Sequence, residues 1–406
     1  MRRLEKPASS QSPLGATLLG GMVTVACLLP LFITGALAVQ LMDELRFGAS
    51  ALGIAISLTR ASGAATSLPL GRLADALGAR RAIRVAAVAA AIASLGIATT
   101  TDRWLILVFW LMVSGCAGAL GQPAANRLLA RNVGPNRLGL AFGLKQSAPP
   151  VSSMVAGLSV PLLALTLGWR WVFGAAGLVA LVVAVVARPS APIGSRTGFL
   201  RSRRDAVGRL PASPWLIALL AAAFGLGTAS SSMLTAFYVE TAVRVGSTPA
   251  LAGTVLAIAS ATAIAVRIAA GALSDRLATT HLALCAALIS VGAVGLGVMS
   301  VGVPPAMAVG AVAAAAGVWG INGVFWFALV RAFPAAPGRI TGAVAPGALL
   351  GGTAGPLVFG LVVEEYGAPV AWRVATATAV AAAAAMLVAH FSLRNHLARG
   401  VPPPSP

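Results

Sequence analysis

The sequence predicts an all-α membrane protein of twelve transmembrane helices, arranged as two pseudo-symmetric six-helix halves. Three observations carry this. The chain is 58% hydrophobic and only 10% charged, whereas soluble domains carry about 25% charged residues. Its apolar residues fall in long runs of Ala, Leu, Val and Gly, not in the short alternating segments of a membrane β-barrel. The chain also repeats itself two hundred positions apart: Gly71-Arg72-Leu73-Ala74-Asp75-Ala76-Leu77 returns as Gly271-Ala272-Leu273-Ser274-Asp275-Arg276-Leu277. A fainter echo pairs Gly168-Trp169-Arg170-Trp171 with Ala371-Trp372-Arg373-Val374.

A bilayer-spanning helix needs about 20 mostly apolar residues, and twelve runs qualify. The first, 14–40, precedes the acidic pair Asp43 and Glu44. The second, 50–70, contains Arg60 and ends at the first copy of the repeat. The third, 82–100, starts after Arg80 and Arg81 and stops before Asp102. The fourth, 104–125, carries Gln122. The fifth, 138–165, carries Lys145, and the sixth, 170–188, follows Gly168. Residues 189–213 interrupt the pattern with Pro189, Pro192, Pro211 and five arginines, and read as a linker. The second half then runs through 214–238, 249–272, 281–301, 305–329, 340–363 and 371–391, with the second repeat copy after the eighth run. The expected organisation is a tail at 1–13, a six-helix bundle at 14–188, the linker at 189–213, a second bundle at 214–391 and a tail at 392–406. Ala36-Leu37-Ala38 imitates a signal-peptidase site, but the run before it is too long for a signal sequence and eleven further runs follow, so the first helix is expected to be retained.

The net charge of +19 raises nucleic-acid binding as a function, and the placement of the charge argues against it. With alternating loops, 21 of the 29 basic residues fall on the side of both termini and five, Arg46, Arg103, Arg170, Arg244 and Arg373, on the other. The positive-inside rule therefore places both termini and the linker in the cytoplasm. Cys27, Cys116 and Cys285 lie within runs at no metal or redox spacing and read as small packing residues. His281, His390 and His396 lie near cytoplasmic helix ends and read as structural or surface residues. No nucleotide-binding loop, metal cluster or catalytic triad is present, so neither an enzyme nor a cofactor is expected.

The segment from Gly71 to Arg81 resembles the loop signature of the major facilitator superfamily, and Gly271 to Leu277 resembles its second copy. It departs at Ala76 and Ala79, where basic or polar residues are common, which loosens the expected charge network. The resemblance implies that superfamily's fold and a secondary transporter working by alternating access. It implies a conformational switch of Gly71, Asp75, Gly78, Arg80, Gly271, Asp275 and Arg276. Asp75 would meet the N-terminus of helix eleven and Asp275 that of helix five when the cytoplasmic side is closed, because a helix N-terminus carries roughly half a positive charge. It also implies that helices one, four, seven and ten line the central path. Gly143-Leu144-Lys145-Gln146-Ser147-Ala148-Pro149-Pro150, with Gly168 to Trp171, looks like bacterial uptake carriers of small organic or inorganic anions. The glycine-proline motif of many drug/proton antiporters is missing from helix five. Gly347, Gly351 and Gly355 in helix eleven read as a small-residue packing face.

Three basic residues remain inside the membrane: Arg60, Lys145 and Arg267. An intramembrane charge is costly, roughly 2.5–3.5 kcal/mol on insertion scales, and marks function by default. Arg60 is about 15 Å from either interface and Lys145 about 10 Å from its cytoplasmic end. Arg267 is near enough to its helix end to snorkel. Lysine occurs only twice, against 27 arginines, which makes a mid-helix lysine informative. No acid falls mid-membrane, so the deep cations call for an anionic ligand. Candidate binding residues are Arg60, Lys145, Gln146, Gln122, Asn126, Asn322, Trp319, Trp326 and Tyr238. Gln122 and Asn126 share a face of helix four, Asn322 lies between Trp319 and Trp326 on helix ten, and Tyr238 ends a polar stripe with Ser231 and Thr235. The expected function is secondary transport of a small organic anion, a carboxylate first, across a bacterial-type inner membrane, by a monomer coupled to protons or another ion. The alternative is proton-coupled efflux of amphipathic compounds or drugs, which the aromatic residues of helix ten would suit.

Overall fold

A computed structural model of the chain describes residues 12–134, 141, 143–188, 212–276, 281–333 and 336–399. Every element among these residues is a helix. The first half comprises α1 (Pro13–Ala36), α2 (Ala38–Leu45), α3 (Ala49–Leu77), α4 (Ala79–Thr100), α5 (Trp104–Asn132), α6 (Ala148–Ser159) and α7 (Trp169–Val186). The second comprises α8 (Pro214–Arg244), α9 (Pro249–Arg276), α10 (His281–Met299), α11 (Pro304–Ala332), α12 (Pro337–Tyr366) and α13 (Ala368–Arg399). A π-turn at Val160–Ala164 prolongs α6, so its membrane segment runs from Gly143 to Leu167. Eleven segments are long and apolar enough to cross a membrane. The remaining one is α3, whose 29 residues carry Ser57, Thr59, Arg60, Ser62, Thr66 and Ser67 within the bundle.

The repeat seen in the sequence is a repeat of structure. α5 and α11 are both 29 residues long and start two hundred positions apart. α1 and α8 open alike. Ser12 Oγ accepts the Gly15 N–H at 3.1 Å and Ser213 Oγ accepts the Leu216 N–H at 3.3 Å, each with a proline next in the chain. A serine cap followed by proline satisfies the free N–H groups of a first turn.

Three expectations about boundaries need correction. The first membrane run does not form one helix over 14–40; it breaks at Leu37, and α2 is a separate outer segment. The first signature copy is not a loop, because α3 continues to Leu77 and places Gly71 and Asp75 on a helix. The turn is confined to Gly78, whose φ of 78° favours glycine. Likewise α9 runs through Gly271 and Asp275 to Arg276. Of the expected linker, 189–211 lies outside the described residues, as do 1–11 and 400–406 of the tails.

Small residues set how the halves meet. A Cβ added to Gly35 would lie 2.5 Å from the Thr235 carbonyl, one added to Gly157 2.6 Å from the Gly253 carbonyl, and one added to Gly360 2.7 Å from the Ala49 carbonyl. These approaches, with the Ser57 Oγ hydrogen bond to the Thr353 carbonyl at 2.6 Å, lie in the half of the bundle away from the termini. One hydrophobic core joins both halves there and continues through the second half to its termini-side helix ends, at Leu216, Phe333 and Leu393. A second core, built from Ala16–Cys27, Ala74–Ala91, Ala117–Leu128 and Ala180–Ala187, stays within the first half, toward the termini. On that side α3 and α12 part: Leu68 and Leu73 are exposed, and a Cβ on Gly71 or Gly342 would meet open space. The bundle is therefore closed at the far face and open at the face that carries the termini.

Within the second half, Gly347, Gly351 and Gly355 press against the backbone of Ala221, Gly225 and Ala229 in α8. The four-residue glycine spacing is a packing face, as its pattern predicts.

Candidate functional site

Lys145 is the deepest cation of the site, 2% exposed. It sits in the helical turn Gly143–Gln146, just before Ser147 interrupts the helix and Pro149 and Pro150 open α6. Its ammonium donates to Gln122 Oε1 of α5 at 2.8 Å and to Gln146 Oε1 at 3.4 Å. Both acceptors are neutral amides, and among the described residues no carboxylate pairs with it. A buried ammonium has three donors and stays costly unless its charge is balanced.

Arg267 joins this group from the other half. Correcting the expectation that it snorkels to the interface, the structure holds it 8% exposed. One guanidinium nitrogen donates to the backbone carbonyl of Gln146 and another to that of Trp319 at 2.6 Å. Asn322 Nδ2 approaches the same Trp319 carbonyl at 3.5 Å, a long contact. The indole of Trp319 meets Phe32 of α1 edge-on at 6.5 Å. Lys145, Gln122, Gln146, Trp319 and Asn322 thus form one wall. Sequence reading undervalued Arg267 because its distance from the helix end suggested an escape route; the signal it missed was that α6 and α11 cover that route.

Arg60 lies on a different wall. It sits between α3 and α12, where a Cβ on Gly352 would lie 3.3 Å from its Nη1. Its Nε is buried without a hydrogen-bond partner. Its neighbour Gly352 also faces Thr228 of α8, and neither belongs to the Lys145 group. The other candidates separate further. Asn126 is exposed. Tyr238 is packed into the shared outer core at 2% exposure, beyond the Gly35–Thr235 contact. Trp326 packs against Phe224 and Phe325, with ring centroids 5.0 and 5.4 Å away, and Phe224 and Phe325 stack at 4.2 Å. Those aromatic residues hold α8 to α11.

The switch residues are partly described. Asp75 forms an ion pair with Arg127 of α5, within its own half, as befits a bundle open at the face of the termini. Arg80 donates to the Arg188 carbonyl at 3.0 Å and ties α4 to the end of α7. The side chains of Asp275 and Arg276 lie outside the described residues. At the far face, the Gly168-Trp169-Arg170-Trp171 segment is structural: Trp169 Nε1 donates to Glu44 Oε2 at 2.6 Å, and Arg170 pairs with Glu44 and donates to the Thr101 carbonyl at 3.0 Å. Partial burial pushes the Glu44 carboxyl up, but hydrogen bonds from Arg170 and Trp169 and the Arg170 charge outweigh it and hold the group below the usual carboxylate range. Cys27 and Cys285 are buried free thiols, and His281 packs against Phe327 with Nε2 3.0 Å from the Ser274 carbonyl.

Two repeat-related helical halves with buried cations between them are the architecture of a membrane transporter. The sequence pattern of the Major Facilitator Superfamily matches residues 19–346, and the chain belongs to that superfamily. The chain is 28% identical over 349 residues to the "Probable nitrate/nitrite transporter NarK2" of Mycobacterium tuberculosis, covering 81% of this chain and 84% of that one. It is 31% identical over 163 residues to the "Multidrug resistance protein B homolog" of the same organism, covering 38% of this chain. It spans only 28% of that relative's length. In structure it is similar to a bacterial homologue of the human lysosomal transporter Spinster in an inward-facing, unoccupied conformation. The TM-score is 0.71 at 16% identity, over 98% of this chain and 100% of that one.

Proposed function

We propose that this transporter moves a small organic anion, a carboxylate first, across a bacterial-type inner membrane with both termini in the cytoplasm. The observation that carries this reading is Lys145: a buried ammonium held by two neutral amide oxygens and balanced by no described acid. An anion in the path would supply the missing charge. Arg60, from the opposite seam, offers another cation that no described acid balances. Together they favour a ligand small enough to lie between the seams, with Gln122, Gln146 and Asn322 as neutral donors. The similarity to a probable nitrate/nitrite transporter over most of the chain points to the same charge class and adds planar inorganic oxyanions to the carboxylates. With the termini cytoplasmic, the open face is the cytoplasmic one, and impermeant labelling of Ser202→Cys in intact cells would contradict that topology. Counter-transported or co-transported protons are compatible with the site, and a monomer contains all of its residues.

Efflux of amphipathic compounds is the second reading, favoured by the partial match to a multidrug resistance protein. The aromatic residues that would serve it, Phe325 and Trp326, are engaged in packing. A thermal-shift screen of the purified protein separates the readings. We expect stabilisation by benzoate, lactate or nitrate and none by ethidium; stabilisation by ethidium alone would overturn the anion assignment.

A further inference from the structure

The two seams between the halves are not closed to the same depth. Along the α3–α12 seam, cross-half contacts start at Ser50 with Glu364, continue through Gly53 with Pro356 and Ser57 with Thr353, and reach Arg60 with Gly352. Beyond Arg60 the helices diverge, and Leu68 is 65% exposed. Along the α6–α9 seam, the contacts run from Gly157 with Gly253 to Ser153 with Ser260, whose hydroxyls are 3.0 Å apart, and end at Gln146 with Arg267. Under the two-hundred-residue repeat, α9 corresponds to α3, and position 267 corresponds to Ser67. Among the described residues, the α6–α9 seam is thus closed about two helical turns further toward the termini than its counterpart, and the contact nearest the termini is a guanidinium.

We infer that Arg267 is a positioning residue that clips the Lys145 segment of the first half to the second half. It rests on the proposed anion site only for its consequence, not for its geometry. The segment needs such a clip. It lies ahead of a helical interruption at Ser147, and Gly143 and Leu144 are exposed, so the packing of α6 alone does not fix it. Arg267 reaches the Gln146 carbonyl in one half and the Trp319 carbonyl in the other. That is a task for a planar fork with several N–H donors, which a lysine ammonium does not match. Gln146 in turn presents its side-chain oxygen to Lys145. The guanidinium sets where Lys145 stands relative to the second half, and the clip must part whenever that seam opens.

The test is spin-label distance measurement on the full chain in lipid, with Cys27, Cys116 and Cys285 replaced by Ala. Gly143→Cys with Gly271→Cys reports the α6–α9 seam, and Gly71→Cys with Gly342→Cys reports the α3–α12 seam. Each of these glycines has open space where a side chain would go. Arg267→Gln is expected to lengthen and broaden the first distance and leave the second unchanged, with no substrate present. Arg267→Lys is expected to act in the same direction. In the same preparations, benzoate and nitrate affinities by thermal shift should change less for Arg267→Lys than for Lys145→Ala. The counterflow rate should drop by about ten- to a hundred-fold, the loss of one charge-assisted hydrogen bond. Unchanged distances in both Arg267 variants would overturn the inference. If those distances stay fixed while Arg267→Lys abolishes benzoate and nitrate binding as completely as Lys145→Ala, Arg267 is a ligand and not a clip. The distance arm needs no anion, so its outcome stands apart from the success of the anion reading.

Discussion

Lys145 and Glu44 show how differently two charged side chains behave in this bundle. Lys145 has its hydrogen bonds but not its counter-charge, so Lys145→Arg should impair transport even though charge is kept. The planar guanidinium cannot reproduce a single ammonium position between Gln122 and Gln146. A variant with wild-type uptake rates at all anion concentrations would contradict this. Glu44, by contrast, is fully partnered by Trp169 and Arg170 at the far face. Its folded-state carboxyl titrates below its ordinary value, so the stability it contributes is present above that ordinary value and lost as pH falls through the depressed one. Glu44→Gln should therefore lower the unfolding midpoint at neutral pH, by no more than the ~1 kcal/mol of a half-exposed pair. The gap from wild type should close at acid pH, and a gap that persists there would show that packing, not charge, is at stake. Sequence alone made Lys145 a candidate because lysine is so rare in this chain. Asn126 and Tyr238 were legible as polar helix positions but not as exposed or packed ones, since that depends on which neighbours cover each face.

At the scale of elements, close helix contact depends on residues without side chains. Gly351 of α12 lies against the Gly225 backbone of α8, so that an added Cβ has no room. Gly351→Val should destabilise the second half by about 1–3 kcal/mol, read as a lowered unfolding midpoint. Gly342→Val, in open space on the same helix, is the control and should not lower it; equal losses would mean that helix propensity, not packing, decides. The twelve crossings were legible because apolar length is a direct demand of the bilayer. Their ends were less so. Arg72 and Asp75 looked like loop residues by charge, yet α3 runs on to Leu77, about two turns past the expected end, because a helix protruding past the bilayer bears charges freely. The break at Leu37 left no apolar signal, since both α1 and α2 are buried around it.

At the level of the whole molecule, the structure fits one state of the proposed alternating-access carrier. The core is continuous at the far face and divided at the face of the termini, where Asp75 is turned toward Arg127 of its own half. In the opposite state, the superfamily resemblance implies, Asp75 would meet the partial positive charge at the N-terminus of α12. Asp75→Asn should then shift the population toward the state seen here, lengthening the mean distance between labels at Gly71→Cys and Gly342→Cys; an unchanged distribution would count against the switch. The symmetric layout was legible in the repeat. The asymmetry that Arg267 introduces between the seams was not, because it arises from contacts between halves that no single run of sequence contains. On the proposed function, an anion completes the charge of Lys145 and Arg60. Its most direct test is counterflow of labelled benzoate and nitrate into proteoliposomes containing wild type, Lys145→Ala, Arg60→Ala or the double variant, with folding verified for each. We expect saturable wild-type counterflow of at least one anion and an affinity about ten- to a hundred-fold lower in each single variant. Folded single variants that keep wild-type affinity for every transported anion would contradict it.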